Sequence, residues 1–180
     1  MLISKFGTIS KETITEFEDA NDIKLPEQYR RFIELYNGGE TPHTSFSLNG
    51  VSSDLKGLYG IGKVKYSFDL VQKEEVKGVC YLPIGMDSFG NDIMIDLCEG
   101  AIFFKDHENG GIKKIAPDLK EFVHGCESRV INKSAVKSVE EREKELIARG
   151  RGGIITNALR DMWRAEINKY GAISQEEVIL

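Results

Sequence analysis

The segment Leu25-Pro26-Glu27-Gln28-Tyr29-Arg30-Arg31-Phe32-Ile33-Glu34-Leu35-Tyr36-Asn37-Gly38-Gly39 constrains this chain more than any other. It holds a helix start, an apolar stripe and a helix stop, in that order. Pro26 suits the first helical position, where its missing N–H has no intrahelical partner and its φ is already helical. Tyr29, Phe32, Ile33 and Tyr36 stand at i, i+3, i+4 and i+7, which is one face of an α-helix. Asn37-Gly38-Gly39 tolerates the left-handed backbone that ends a helix. The stripe is expected to face a core and not a ligand. Upstream, Ser10 can cap a helix over 11–20 with Ile14 and Phe17 inward. The chain therefore opens with an αα pair.

The middle of the chain reads as β-structure. Residues 38–63 are rich in Gly, Ser, Thr and Asn, which predicts loops with one or two short strands around Phe46-Ser47-Leu48 and Leu58-Tyr59. Val64, Phe68, Leu70, Val71 and Val76 suggest a short helix over 64–77. A meander follows: strands over Val79–Ile84, Asp92–Leu97, Ala101–Lys105 and Gly111–Ala116, the first ending at Gly85. Ser88-Phe89-Gly90-Asn91, Glu99-Gly100 and Asn109-Gly110 between them are turn chemistry. Links this short force antiparallel neighbours. Pro117 then opens a helix with Leu119, Phe122 and Val123 inward, ended by Gly125.

The last part differs. Residues 134–149 and 154–170 read as two helices split by Arg149-Gly150-Arg151-Gly152-Gly153. Glu140 with Lys144 and Glu145 with Arg149 have the favourable i,i+4 orientation. Ile155, Leu159, Met162, Trp163, Ile167 and Tyr170 make one broad apolar face on the second helix, expected to pack back on the domain or on a partner. The single arginine-glycine stretch is expected to be a hinge, since RNA-binding tracts of that type are repeated. The division predicted is a domain over 1–131 and a helical extension over 132–180.

Charge divides the same way. The chain of 180 residues carries a net −5. Residues 132–180 hold 9 Lys/Arg and 8 Asp/Glu, leaving 15 against 21, a net −6, for residues 1–131. An acidic body disfavours nucleic acid and suits a basic partner. The N-terminus lacks an apolar signal-peptide region and no apolar run approaches a membrane span, so a cytoplasmic protein without membrane contact is expected. Cys80, Cys98 and Cys126, odd in number and widely spaced, read as small buried thiols and not a disulfide framework.

Four constellations could carry chemistry. Gly57-Leu58-Tyr59-Gly60-Ile61-Gly62-Lys63-Val64 has the glycines and lysine of a phosphate-binding loop but lacks the Ser/Thr that holds Mg²⁺, and no buried strand is expected before it. His43, His107, His124 and the cysteines show no metal-ligand spacing beyond His124-x-Cys126, so no metal or other cofactor is expected. Cys80 or Cys98 could meet His107 across the sheet as a nucleophile–base pair, although apolar strand contexts favour packing. Finally, Asp87, Asp92, Asp96, Glu99, Asp106 and Glu108 lie within 22 positions, opposed only by Lys105. They are either solvated turns or an acidic recognition surface.

Several of these blocks, in their order, resemble the SUKH superfamily. They are the αα pair with Leu25-Pro26-Glu27-Gln28-Tyr29-Arg30-Arg31-Phe32 and Asn37-Gly38-Gly39, and Leu82-Pro83-Ile84-Gly85-Met86-Asp87-Ser88-Phe89-Gly90-Asn91 with Ile93-Met94-Ile95-Asp96. Gly100-Ala101-Ile102-Phe103-Phe104-Lys105-Asp106-His107-Glu108 and a closing helix with Phe122 complete the set. The likeness covers residues 10–125; the helices over 134–170 lie outside it. The superfamily includes many bacterial toxin-immunity proteins and a fungal cell-wall regulator. The resemblance implies an α+β fold, a twisted and largely antiparallel sheet with helices packed on it. It also implies a non-enzymatic role, binding and neutralising a cognate toxin, often a nuclease. It supplies no catalytic or contact residues. The reading that follows is a cytoplasmic immunity protein whose carboxylates from Asp87 to Glu108 meet a basic toxin surface, with residues 134–170 as a candidate homodimer element. The rival is an intracellular scaffold that binds cell-wall or signalling partners.

Overall fold

The computed structural model describes all 180 residues. Its elements run β1 (Leu2–Lys5), α1 (Lys11–Asn21), α2 (Glu27–Tyr36), β2 (Gly39–Leu48), β3 (Val51–Leu58), β4 (Glu74–Val76), β5 (Val79–Met86), β6 (Asp92–Asp96), β7 (Ile102–Lys105), β8 (Ile112–Ala116), α3 (Leu119–His124), β9 (Cys126–Ser128), α4 (Val139–Ala148), α5 (Asn157–Ala172) and β10 (Glu176–Glu177). The fold is α+β, as expected. Every strand pairing is antiparallel, in the order β10-β1-β2-β3-β5-β6-β7-β8, with β4 on β5 and β9 on β2. The sheet curls. Asn49, in the β2–β3 turn, donates its side-chain amide to the Lys114 carbonyl of β8 at 2.7 Å.

The chain divides into two compact units, Met1–Arg129 with Gln175–Leu180, and Val130–Ser174. In the first, α2 buries the whole expected stripe of Tyr29, Phe32, Ile33 and Tyr36. Those side chains join Leu58, Ile84, Ile93, Ile95, Ile102 and Phe122 in one core. Asn37 ends the helix in the left-handed region (φ 47°). Its buried side chain also accepts from Ile61 N at 2.8 Å and donates to Ile61 O at 3.1 Å, tying the helix end to the segment after β3. The C-terminus returns to this unit. β10 pairs with β1, and the Tyr36 hydroxyl accepts from Ile179 N at 2.9 Å.

α1 and α2 are joined by a buried charge. Glu18 is 1% exposed. It accepts from Leu25 N at 2.9 Å and forms an ion pair with Arg30. Arg30 also donates to Thr15 Oγ1 at 2.9 Å. Tyr29 is different: its hydroxyl is buried and has no hydrogen-bond partner. Burial pushes its pKa up, with Tyr59 adding to the effect. An unpaired buried hydroxyl costs about 1–3 kcal/mol. Tyr29→Phe keeps the ring and deletes that cost, so it should stabilise the protein by about 1 kcal/mol in urea unfolding.

The structure corrects several sequence expectations. Residues 64–77 form no α-helix; they carry a 3₁₀ turn at Phe68–Leu70 and then β4. Their helical spacing served another end, because Phe68 packs on Phe17, Tyr29 and Tyr59 as the segment folds over the core. Residues 38–63 hold two long strands, where only short ones were expected. The hairpin signal there was Asn49-Gly50, both left-handed, which is the two-residue turn of a tight hairpin. Lys77-Gly78 closes β4 and β5 the same way. Gly85 does not stop β5; a Cβ there would lie 2.6 Å from a Leu58 methyl, so the glycine lets β3 approach.

The glycines of the near phosphate-loop serve packing too. A Cβ on Gly57 would lie 2.3 Å from the Tyr66 ring, and one on Gly60 would lie 2.0 Å from the Asn37 carbonyl. The strand that leads into this segment, β3, is not a buried one, since only Leu55 is buried ahead of Gly57, and no α-helix follows to present N–H groups to a phosphate. Gly60→Ala should cost about 2 kcal/mol or more, since backbone would have to move. A fall in melting temperature checks this.

Candidate partner-binding site

The register of the meander sorts the six acidic candidates. Met86 faces Asp92 and Asp92 faces Lys105, so the β5–β6 and β7–β8 links lie at one end of the sheet. Asp87, Asp92, Asp106 and Glu108 are at that end. Asp96 and Glu99 are at the other end of β6, about 13 Å away at ~3.4 Å per residue. The six therefore do not form one surface.

At the first end most of the carboxylates hold loops in place. Asp87 is 1% exposed. It accepts from Ser53 Oγ (2.7 Å), Phe89 N (2.9 Å), Asn91 N (2.8 Å) and Asn91 Nδ2 (2.7 Å). Burial opposes its ionisation, but these donors outweigh that cost and hold its pKa below the ordinary carboxylate range. Asn91 passes the order on: its Oδ1 accepts from His107 N at 3.0 Å and lies 2.9 Å from His107 Nδ1. Because Asn91 Nδ2 donates to Asp87, Oδ1 is the acceptor, and His107 carries its proton on Nδ1. Asp54 of β3 accepts from Ser88 N and Ser88 Oγ at 2.9 and 2.5 Å. Asp106 turns the next link, accepting from Glu108 N at 2.8 Å and from the Asn109 amide at 2.8 Å.

Asp92 is half-buried beside the Lys105–Glu74 ion pair (2.5 Å). Burial raises its pKa; Lys105 pulls it down while Glu74 and Asp87 push it up. What remains open at this end is Glu108, His107, Ser88 and Phe89, the last with 69% of its surface in solvent. Neutral donors such as Ser53, Ser88 and Asn91 bring no positive charge to the carboxylates they hold. Asp54, Asp87, Asp106 and Glu108 thus place acidic side chains around an exposed aromatic ring on two interlocked loops. Sequence reading weighed the carboxylates and passed over Phe89. A phenylalanine inside Ser-Phe-Gly-Asn turn chemistry was the available signal, since such a turn leaves no core for the ring.

At the opposite end, Asp96 is buried and accepts from Cys98 N at 2.8 Å and Glu99 N at 3.3 Å, closing the β6–β7 turn. Glu99 and Cys98 are exposed there, so Cys98 is not the buried strand thiol that was expected. Cys80 is half-buried at the same end, and its carbonyl accepts from Leu97 N. His107 lies at the far end, so neither cysteine meets it. Cys126 is buried, which pushes its thiol up to about 12. No three His, Cys, Asp or Glu side chains gather as a metal site. No helix is long and apolar enough to cross a membrane.

A curled antiparallel sheet with an N-terminal helix pair, in this order of elements, defines a class of α+β domain. The chain belongs to the SMI1/KNR4 family (SUKH-1), whose family model matches residues 8–125. That family is known for immunity proteins of toxin systems. A search of curated individual proteins found no significant match.

Proposed function

We propose that this protein is a non-enzymatic immunity protein that binds a cognate toxin and occludes its active site. Family membership supports the class of function. The observation that carries the choice of surface is the Phe89 end: an exposed aromatic on rigid loops, ringed by fixed negative charge. Aromatic anchors supply binding energy. The surrounding field speeds encounter with a basic surface and selects the partner. A toxin acting on nucleic acid presents such a basic surface. Asp87 and Asp106 serve by holding the loops, Phe89 and Glu108 make contact, and Asp96 holds only the turn at the opposite end.

Co-expression with the product of the neighbouring toxin-like reading frame, followed by co-purification, tests the function. For the surface, Phe89→Ala and Glu108→Lys leave every clamp intact. Each should weaken toxin binding tenfold or more, about 1.4 kcal/mol, with melting temperature unchanged. Full-strength binding by both variants would move the interface elsewhere.

A further inference from the structure

The second unit, Val130–Ser174, has features the first does not explain. It is a pair of helices, α4 and α5, in 45 residues, close to the size at which a chain stops sustaining its own core. Trp163 and Ile173 are its buried apolar residues, whereas Ile147, Ile154 and Met162 are 61%, 47% and 56% exposed. Its charge is reversed. It carries 9 Lys/Arg against 6 Asp/Glu, a net +3, which leaves the first unit at −8.

Within the unit four of the nine cations are held in ion pairs, and Lys133, Lys144, Arg149, Arg151 and Lys169 are not. Lys137, Arg142, Arg160 and Arg164 pair with Glu145, Glu166, Glu143 and Asp161. Arg142 also lies over the Trp163 ring, 5.9 Å from its centre. These contacts hold the hairpin together. Arg149 and Arg151 in the α4–α5 link are exposed and make no ion pair. The link is nonetheless ordered: Arg149 N and Arg151 N donate to Glu145 O and Leu146 O at 3.1 and 2.8 Å, and Gly150 takes φ 69°. Ile147 lies against Gly152, where a Cβ would come within 3.2 Å of it. The hairpin tip thus presents two exposed guanidinium groups outside ion-pair distance of any carboxylate, on a segment that also exposes Ile147 and Ile154.

We propose that this tip is a docking surface whose occupant is the acidic unit of a second copy of the chain. The argument is complementarity. A tip with cations and aliphatic side chains fits a surface with fixed carboxylates and an exposed apolar ring. The −8 unit offers that combination at Phe89 and Glu108. Arginine beside an aromatic ring gains a cation–π contact as well as charge attraction. The copies associate through unlike surfaces, hairpin tip to sheet end. Self-association and capture of a basic partner then use one surface and exclude each other.

Light scattering on the full-length protein over a dilution series, at low and high salt and without any toxin, tests this. The wild type should form a dimer or larger species whose dissociation constant rises at least tenfold with salt, because the contact is charged. Arg149→Glu with Arg151→Glu should weaken association tenfold or more, and Glu108→Lys should do the same. Mixing the two variants should restore association, since their charges are exchanged. A wild type that stays monomeric at every concentration overturns the proposal. So does a dimer that ignores both variants, or a mixture that shows no recovery. Toxin binding is measured separately on the same variants, so a failure of self-association leaves the proposed function standing.

Discussion

Asp87→Ala should destabilise the protein by about 2–4 kcal/mol, because it strands several hydrogen-bond donors at once. Ser53 Oγ, the backbone N–H groups of Phe89 and Asn91, and the Asn91 amide all converge on this carboxylate. Without it the β5–β6 link loses its turn, and His107 loses a partner, Asn91, that Asp87 holds in place. Urea unfolding should show a lower midpoint with an unchanged slope, since the surface exposed on unfolding is the same. Asp87→Asn separates charge from shape. It keeps part of the network but removes the negative charge, so its loss should be smaller. The pH dependence has a definite sign. The folded state holds the Asp87 pKa below its ordinary value. Its contribution is therefore present above the unfolded-state pKa, near 4, and is lost as pH falls through the lower folded value. The stability gap between wild type and Asp87→Asn should shrink below about pH 4. A gap that persists in acid would mean that Asp87 acts through shape alone.

Glu18→Ala is the second large effect. It leaves the Leu25 N–H and the Arg30 guanidinium without their acceptor, at a position 1% exposed. Removing one partner of a buried pair costs about 3–5 kcal/mol. Arg30 is part-exposed and keeps Thr15, which places the expected loss at the lower end, about 3 kcal/mol. Glu18→Gln retains an acceptor for Leu25 N and should lose less. Thermal unfolding of the two variants distinguishes lost charge from lost hydrogen bonding. Equal and small losses would show that the αα pair is held by its apolar contacts, with Glu18 incidental.

These two residues mark the limit of what the chain displays before it folds. The α2 stripe, its Asn37 stop and the four meander strands were readable because each follows from local spacing and turn chemistry. Phe122 and Leu119 were readable inward for the same reason. Glu18 was not: an acidic residue on a helix reads as solvated until a second helix brings Arg30 and Leu25 N to it. Asp87 read as one of six similar carboxylates. Its burial depends on Ser53, 34 positions earlier, which only strand pairing supplies. β10 was invisible as well, since two glutamates carry no strand signal and their pairing rests on β1 at the other end of the chain.

The αα pair, the four-strand meander, the α+β class and the family are written in the sequence, because periodicity, caps and turns act over a few residues. Where the acidic side chains end up is not. Register decided it: an antiparallel ladder sends alternate links to opposite ends, so one run of carboxylates became two separate groups, several of them turned inward as clamps. The segment Leu25–Gly39 kept its reading as a core-facing helix. The open ring of Phe89 on its anchored loops came from long-range contacts, which sequence spacing does not encode.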